Sequence, residues 1–348
     1  MGYGERIFIN NFLNYLVFLP IMICLGIEST AHTFGCGIID DEGKILANVK
    51  DSYTTKQGGI HPTEAKNHHI KCKDLVVENA LNEAGLTMND VDVISFSQSP
   101  GMAPCLVVGM EKAKELALKY KKPLIGVNHC IAHLEIGRVL TKCKDPVMLY
   151  ASGANTQIIA YEGGKYRIFG ETLDNGVGNF LDGFARYLGW GFPGGPKIYE
   201  SSLKGKEFIP LPYVVKGMDV SFGGIQTNLK QKYDSGKYSV PDLCFSCQET
   251  VFAMLVEVAE RAMAHCEKDE LLLGGGVACN KRLQEMCFQM CKERGAKCFV
   301  PPNSVLVDNA AMIAWEGIVE YKSRGKDNIK KLDIKPRERT DDVKVTWR

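Results

Sequence analysis

The sequence predicts an α/β protein made of two related lobes, and three observations support this. Between residues 22 and 145, short apolar strands and amphipathic helices follow the order β-β-β-α-β-α-β-α, and near residue 146 the same order starts again. The turn between the first two strands is small and polar in both halves. The 348 residues, 45% hydrophobic and 24% charged, suffice for two domains of about 150 residues. Each half is therefore expected to form a mixed sheet with helices on its faces.

In the first half, three apolar runs separated by polar turns predict strands, because each is short and rich in Ile, Val or Phe. They are MICLGIE, FGCGIID and KILANVK. The next segments predict a long helix, a strand, a helix, a strand and a final helix. These are TEAKNHHIKCKDLVVENALNEAG, VDVISFS, LVVGMEKAKELALKYK, PLIGV and the stretch that carries His129 and His133.

In the second half, VMLYAS, TQIIAYE and KYRIFGE predict the equivalent strands, and FLDGFARYLGW begins helical material. An irregular insertion rich in Gly and Pro follows. The remaining segments predict a helix, a strand, a helix, a strand and a last helix. They are SCQETVFAMLVEVAERAMAHC, ELLLGG, KRLQEMCFQMCKERG, KCFVP and NAAMIAWEGIVEYK. The repeated order favours internal duplication, with ligands expected in the cleft between the lobes.

The two ends of the chain differ from this pattern. Residues 7–27 carry no charge, so a signal peptide or membrane anchor must be considered. Because Met22 stands where the first strand begins, we expect residues 1–21 to be an extension outside the fold. Lobe one is then expected at 22–145 and lobe two at 146–320.

The last segment, residues 321–348, is expected to be a basic tail that packs back on lobe one. Between Lys322 and Arg339 there are eight Lys or Arg against three acidic residues. Such a stretch either contacts phosphates or is a solvated tail, and the sequence does not decide between them.

Net charge and cysteine usage limit the function classes. A net charge of +1 does not indicate a general polyanion binder. Thirteen cysteines without a disulfide-framework spacing are typical of reduced thiols in a cytoplasmic protein. Cys244 and Cys247 form a lone C-x-x-C in an apolar helical run, and a structural zinc needs about four ligands. We therefore expect these two thiols to be buried rather than to bind zinc.

Three small-residue turns indicate a nucleotide in the cleft. ESTAH at 28–32 and SGANTQ at 152–157 join the first two strands of each half, where backbone N–H groups can face a phosphate. A third turn, in LLLGGGVACNKRL, leads into a helix whose N-terminus can hold an anion.

His129 and His133 are four positions apart on a predicted helix, so both rings can reach one metal ion. A zinc-peptidase motif needs a glutamate after the first histidine, and Cys130 stands there instead. Asp308, at the start of the last helix, is the candidate third ligand, and Tyr150 a possible fourth. The alternative is that Asp308 only caps its helix and the histidines belong to the core. His68 and His69 are adjacent and are expected to be structural.

Eight motifs are specific in combination. They are NHCIAH, SGANTQ, GETLD, VGNFLDGFAR, FPGGP, MDVSF, GGVACNKRL and DNAAMIAW. In this order, and from Met22 onward, the chain closely resembles the archaeal and eukaryotic tRNA threonylcarbamoyl transferases, catalytic subunits of the KEOPS complex similar to bacterial TsaD. The resemblance implies the actin-like (ASKHA) fold, with two duplicated RNase H-like lobes and a cleft between them.

The resemblance also implies an acyltransferase activity. Members move a threonylcarbamoyl group from threonylcarbamoyl-adenylate to N6 of the adenosine beside the anticodon, in tRNAs that read ANN codons. The implied partners are tRNA and KEOPS subunits, including a small atypical kinase and a dimerising small subunit, without a membrane. One divalent metal per subunit, iron or zinc, is implied, together with an adenine nucleotide: the adenylate as substrate, or ATP or AMP in its place.

By resemblance, the metal ligands are His129, His133 and Asp308, with Tyr150. The adenylate is expected along a set of lobe-two residues, of which Asp182 and Asn280 are also the candidate catalytic residues. The set comprises Tyr150, Ala151, Ser152, Gly153, Ala154, Asp182, Gly195 and Asn280.

Four positions depart from the family pattern. Ala154 and Ala310 replace glycines, Ser99 replaces a glycine in a turn, and Tyr199 stands where a glutamate is usual. A Cβ at Ala154 would cost energy if that backbone needed a positive φ. Two alternatives therefore remain beside the active transferase: a metal- and nucleotide-binding scaffold subunit without turnover, or an actin-fold kinase for a small substrate.

Overall fold

The computed structural model describes residues 21–55 and 59–348. The expected N-terminal extension, apart from Ile21, lies outside the described residues. Within them, two five-stranded sheets and a two-stranded hairpin form the strands of an α/β protein.

Lobe one is built on a sheet in the order β3-β2-β1-β4-β5. β1 and β2, and β2 and β3, pair antiparallel, whereas β1 with β4, and β4 with β5, pair parallel. Its strands are β1 (Ile23–Glu28), β2 (Thr33–Asp40), β3 (Ile45–Ser52), β4 (Val93–Ser99) and β5 (Leu124–Asn128). The helices of this half are α1 (Pro62–Ala84), α2 (Ala103–Tyr120) and α3 (His129–Thr141).

Lobe two repeats this topology, because its sheet has the order β12-β11-β6-β7-β8, which is the lobe-one order read from the other edge. Its strands are β6 (Val147–Ala151), β7 (Thr156–Glu162), β8 (Lys165–Glu171), β11 (Glu270–Gly274) and β12 (Lys297–Phe299). Three helices follow the predicted pattern: α7 (Val240–His265), α8 (Lys281–Arg294) and α10 (Ala310–Arg324). The duplication predicted from the sequence is therefore present in both sheets.

The remaining elements of lobe two come from the first predicted helix, the insertion and two short turns. They are α4 (Val177–Tyr187), α5 (Gly195–Ser202), β9 (Val215–Lys216), β10 (Asp219–Val220), α6 (Gly223–Asp234), α9 (Asn303–Leu306) and 3-10 turns at Gly276–Cys279 and Thr340–Asp342. Helix α7 begins at Val240, six residues before the predicted start, because Ser239 caps it and Pro241 occupies its first turn. Cys244 and Cys247 are buried in this helix within the lobe-two core, and all thirteen cysteines are free.

The last helix of each half packs across the boundary between the lobes. Helix α3 contacts β11, and α10 lies against β1, β2 and β4 of lobe one. This crossing requires glycine in lobe one: a Cβ on Gly26 would lie 2.3 Å from the backbone N of Ala314, and one on Gly37 would lie 2.2 Å from that of Ala311. The boundary expected between residues 145 and 146 therefore separates the two sheets. Helices α3 and α10, however, each pack against the other lobe as well.

The C-terminal tail runs over both lobes, whereas the sequence predicted contact with lobe one. Leu332 and Ile334 pack on the lobe-one core, and the Lys335 N–H donates to the Gln98 carbonyl at 3.0 Å. Further along, Arg339 pairs with Glu171 of β8 at 3.0 Å, and the Thr340 hydroxyl donates to Gln157 of β7 at 3.4 Å, both in lobe two. The tail therefore holds the two halves together.

No helix among residues 21–55 and 59–348 is long and apolar enough to cross a membrane.

Candidate functional site

The two histidines of the NHCIAH motif lie in the first two turns of α3. Asn128 caps this helix by accepting hydrogen bonds from the backbone N–H groups of Cys130 and Ile131, at 3.0 and 3.3 Å. The His129 and His133 rings have centroids 4.8 Å apart, and both residues are buried. The helical spacing thus brings both imidazoles to one place, as predicted.

Asp308 completes this cluster from the start of α10. Its Oδ1 lies 3.4 Å from His129 Nε2 and 3.6 Å from His133 Nε2. The helix cap is Asn309, whose side chain accepts from the Met312 N–H at 3.0 Å. Because Asn309 provides the cap, the alternative that Asp308 serves only as a helix cap does not hold.

Electrostatics in the cluster are set by burial and by two carboxylates. Burial opposes protonation of His129, but Glu28 and Asp308 raise its pKa well above the usual value. Burial lowers the pKa of His133, and Asp308 only partly opposes this. Burial also opposes ionisation of Asp308, yet the two nearby histidine rings hold its pKa well below the usual value. The cluster therefore has an ionised carboxylate and a neutral His133.

The donor set fits a divalent metal. Both ring nitrogens of His133 are buried and have no hydrogen-bond partner, a costly state that an ion bound to one nitrogen would relieve. Donor atoms of His129, His133 and Asp308 all lie within 4.8 Å of one another. Two imidazoles and one carboxylate suit zinc or ferrous iron. Tyr150 is buried with its ring 5.2 Å from that of His133, so it lies beside the cluster.

Glu28 is a residue of this site whose contact with His129 the sequence did not predict. It lies at the end of β1, is fully buried, and accepts from His129 Nδ1 at 2.9 Å and from the Thr30 N–H at 2.7 Å. A carboxylate on Nδ1 directs Nε2 toward Asp308 and orients the ring, as in many metal sites. In the sequence, Glu28 could have been picked out as a site residue because it is an acidic residue at the end of an otherwise apolar strand.

A cavity of about 510 Å³ lies between the lobes, next to Asp308. Five residues expected along the nucleotide, Ser152, Gly153, Asp182, Gly195 and Asn280, line it. Tyr150 and Ala151 are buried in β6, and Ala154 is exposed on the loop that follows. The cavity has the size of ordinary small-ligand sites.

Asp182 and Gly195 meet where α4 contacts the FPGGP loop. Asp182 Oδ1 accepts from the backbone N–H groups of Gly194 and Gly195, at 2.7 and 3.3 Å. Burial raises the pKa of Asp182, while these two hydrogen bonds lower it. Because Oδ1 is used to hold the loop, Oδ2 is the oxygen that can accept from a ligand hydroxyl.

Asn280 has a structural role as well as a place in the cavity. Its Oδ1 caps α8 by accepting from the Arg282 N–H at 2.9 Å, and its Nδ2 donates to Gln248 Oε1 at 2.5 Å. A side-chain amide has two N–H donors, so one remains for a ligand.

The four backbone amides of the loop after β6 differ in their hydrogen bonding. The N–H groups of Ser152 and Asn155 are used inside the loop, in bonds of 2.9 and 3.2 Å. The carbonyls of Ser152 and Gly153 accept from the first turn of α4. The N–H groups of Gly153 and Ala154 make no hydrogen bond within the described residues, so they remain for a ligand. Ala154 does not have a positive φ, so its Cβ causes no backbone strain.

The other three departures from the family pattern have different surroundings. Ala310 is fully buried where α10 meets Gly35 and Gly37 of β2. Ser99 accepts from Asn128 at 3.3 Å and donates to Glu338 in the tail. Tyr199 lines the cavity, whereas the neighbouring Glu200 is exposed. Of these three, Tyr199 is therefore the one that faces a ligand.

Comparison with known proteins gives one consistent family. The TsaD family model, described as tRNA N6-adenosine threonylcarbamoyltransferase, matches residues 44–315. A protein of that name from Thermococcus kodakarensis is 55% identical over 326 residues, covering 94% of this chain and 100% of that protein. Its counterpart from Archaeoglobus fulgidus is 50% identical with the same coverage. A probable bifunctional tRNA threonylcarbamoyladenosine biosynthesis protein from Methanothermobacter thermautotrophicus is 49% identical, covering 94% of this chain and 61% of that protein.

Solved structures share the fold at low sequence identity. HypF from T. kodakarensis has a TM-score of 0.60 and 12% identity, covering 86% of this chain and 47% of that chain. Component A of the (R)-2-hydroxyglutaryl-CoA dehydratase from Acidaminococcus fermentans has a TM-score of 0.54 and 13% identity, covering 86% and 99%. With the two equivalent sheets, these likenesses identify the actin-like fold of two lobes.

Proposed function

Because the chain belongs to the tRNA N6-adenosine threonylcarbamoyltransferase family, we infer that it transfers a threonylcarbamoyl group to N6 of an adenosine in tRNA. The observation that carries this inference beyond family membership is the position of the His129, His133 and Asp308 cluster at the edge of a nucleotide-sized cavity. We propose that the acyl donor is threonylcarbamoyl-adenylate and that the acceptor is the adenosine beside the anticodon of tRNAs reading ANN codons.

Lobe two supplies most of the proposed adenylate site. The free Oδ2 of Asp182 accepts from ribose hydroxyls, and the remaining amide N–H of Asn280 positions the nucleotide. The N–H groups of Gly153 and Ala154 stabilise negative charge on the leaving phosphate, as an oxyanion hole does. The Gly195 backbone leaves space beside the ribose, since nothing lies within 4 Å of a Cβ built there.

His129, His133 and Asp308, with Tyr150 beside them, are the residues that would hold one divalent ion, iron or zinc. When bound, this ion would act as a Lewis acid and polarise oxygens of the acyl donor. Glu28 keeps the His129 ring in place through Nδ1, and burial keeps water away from both imidazole rings.

The reaction itself needs no protein nucleophile. The N6 atom attacks the carbamoyl carbonyl carbon, a C–N bond forms, the C–O bond to the phosphate breaks, and AMP leaves while the N6 proton passes to the departing phosphate or to water. This agrees with the absence of a general-base glutamate after His129, where Cys130 stands. The chain's contribution is to bind both substrates and to stabilise the charge on AMP.

We also propose that the chain works with KEOPS subunits, including a small atypical kinase and a dimerising small subunit. The tRNA substrate follows from the family, and its binding is expected to be shared among the subunits, because the net charge of this chain is only +1. Several cations of the tail, among them Lys335, Arg339 and Arg348, already pair with protein carboxylates. The tail is therefore better suited to joining the lobes than to binding phosphates.

The test is transfer of labelled threonine from threonylcarbamoyl-adenylate to an ANN-reading tRNA, with the purified partner subunits present. Modified adenosine should accumulate with the wild-type tRNA and not with a tRNA that has guanosine beside the anticodon. Normal assembly and adenylate binding without any transfer would instead support the non-catalytic scaffold.

A further inference from the structure

Acidic groups outnumber fixed cations in the cavity. Asp182 and Asp308 face it from lobe two, and both are ionisable. Among lining residues in the described part of the chain, Lys50 is the one Lys or Arg. The proposed donor carries negative charge on its phosphate and on the threonyl carboxylate. Like charges in a partly desolvated cleft repel strongly, and the proposed metal ion lies at one edge of the cavity, so a second cation would favour binding of this donor.

Lys50 is held at the junction of the two lobes. It lies near the end of β3 in lobe one, and its Nζ donates to the backbone carbonyl of Asp308 at 3.2 Å. An ammonium group has three N–H donors, so two remain. The contact uses the main chain of Asp308 and leaves its carboxylate directed at the two histidines.

The position of Lys50 in the cavity wall suits binding of an anion by its ammonium group. The cavity that Lys50 lines takes residues from both lobes, with Ser52 from lobe one and Cys279 and Asn280 from lobe two. The ammonium thus lies beside the main chain of Asp308 and shares a cavity with residues assigned to the nucleotide.

We propose that Lys50 binds an oxyanion of the acyl donor, either the phosphate or the threonyl carboxylate, across the cleft from the lobe-two loops. This role rests on the proposed function, because it assumes an anionic adenylate as donor. Lys50 is then a substrate-binding residue that also couples donor binding to the relative position of the lobes.

Binding measurements on the full-length protein test this directly. Lys50→Met removes the charge with little change in length, and Lys50→Arg keeps the charge. Lys44→Met is the matched control, because Lys44 is an exposed lysine just before β3 that does not line the cavity. The probes are AMP, which has a phosphate but no carboxylate, and a non-hydrolysable threonylcarbamoyl-adenylate analogue.

Lys50→Met should weaken binding of the analogue about 10- to 100-fold, which corresponds to loss of a charge-assisted hydrogen bond. Lys50→Arg should stay within a few-fold of wild type, and Lys44→Met should not differ. An equal loss for AMP and the analogue assigns the phosphate, and a loss for the analogue alone assigns the carboxylate. Unchanged binding of both probes to Lys50→Met overturns the proposal.

Metal content and kinetics separate this role from a structural one. If Lys50→Met loses bound metal, the lysine supports Asp308 rather than the substrate, and the proposal is wrong. In the transfer assay, the donor KM should rise while the tRNA KM stays constant. Failure of wild-type protein to transfer would reject the proposed function, whereas the two binding probes would still decide the role of Lys50.

Discussion

Among residues 21–55 and 59–348, two clusters place His with other possible metal ligands, and they differ in the directions of their donors. In the first, His129 and His133 present Nε2 to one carboxylate oxygen. In the second, His68 Nε2 lies 3.1 Å from Asp51 Oδ1, while Cys72 Sγ lies 3.9 Å from His68 Nδ1. The nearest partners of His68 therefore lie at different ring nitrogens, so rotation of the ring would place a shared ion better, although donor atoms of all three residues lie within 4.8 Å of one another.

Burial separates the two clusters further. His133 is 2% exposed with no hydrogen-bond partner on either nitrogen, whereas the Asp51 side chain is 55% exposed. Adjacent His69 donates from Nε2 to the Ala31 carbonyl at 3.1 Å, and burial lowers the pKa of His69 to about 4. Proximity of donor atoms therefore does not make a metal site, whereas convergence on one point with unsatisfied buried nitrogens indicates one.

The largest expected effect comes from His133→Ala. Loss of a buried ligand should remove the bound metal and reduce transfer at least about 100-fold, since Lewis-acid stabilisation is worth several kcal/mol. Elemental analysis and labelled-threonine transfer measure the two quantities. His68→Ala is the matched control from the other cluster. Full metal content in His133→Ala would show that the cluster of His129, His133 and Asp308 does not hold the metal.

A smaller effect is expected for Glu28→Gln, which keeps the shape but removes the charge beside His129 Nδ1. Metal affinity should fall about 10- to 100-fold, as is typical for partners that orient a ligand. Competition with a chelator of known affinity measures this. Glu42→Gln, at an exposed turn, serves as the control. Equal affinities for Glu28→Gln and wild type would show that His129 needs no orienting carboxylate.

Glu316 extends the comparison, because it is also buried with both oxygens unpartnered but has no converging ligands. Burial, with the nearby charges of Glu135 and Glu320, raises its pKa well above the usual value. The folded state therefore binds the proton more tightly than the unfolded state, so stability falls as pH rises above the unfolded pKa of about 4.3.

Glu316→Gln removes this dependence, so its gain in Tm over wild type should be larger at pH 8 than at pH 6. Thermal unfolding at both pH values measures it, with Glu111→Gln on the exposed face of α2 as the control. If the difference in Tm does not change with pH, Glu316 is already ionised in the folded protein and paired with a cation.

The smallest effect is expected from Asp51→Asn and Cys72→Ala. Metal content should not change in either variant, and the stability of Asp51→Asn should fall by no more than about 1 kcal/mol, because the Asp51 side chain is largely exposed. Elemental analysis measures the metal content of the two variants, and thermal unfolding measures their stability. If either variant loses a second equivalent of metal, the ring of His68 does rotate to form a site.

The duplicated strand order could be read from the sequence because periodicity and turn residues are local properties. The His129 and His133 pair could be predicted for the same reason, since four residues of helix fix their relative direction. Glu28 could not be assigned, because its contact with His129 joins positions 101 residues apart in the chain. Ala154 also needed the structure, since only the backbone reveals that its φ is not positive.

By itself, the sequence determined two mixed sheets, the helix that carries the histidines, and the motifs that identify the family. The tertiary structure decided which lobe each terminal helix packs against. Helix α10 crosses to lobe one because Gly26 and Gly37 let its backbone approach more closely than any Cβ would allow. That crossing brings Asp308 to the histidines and its carbonyl to Lys50, and no local pattern records it, because it depends on packing between segments nearly 300 residues apart.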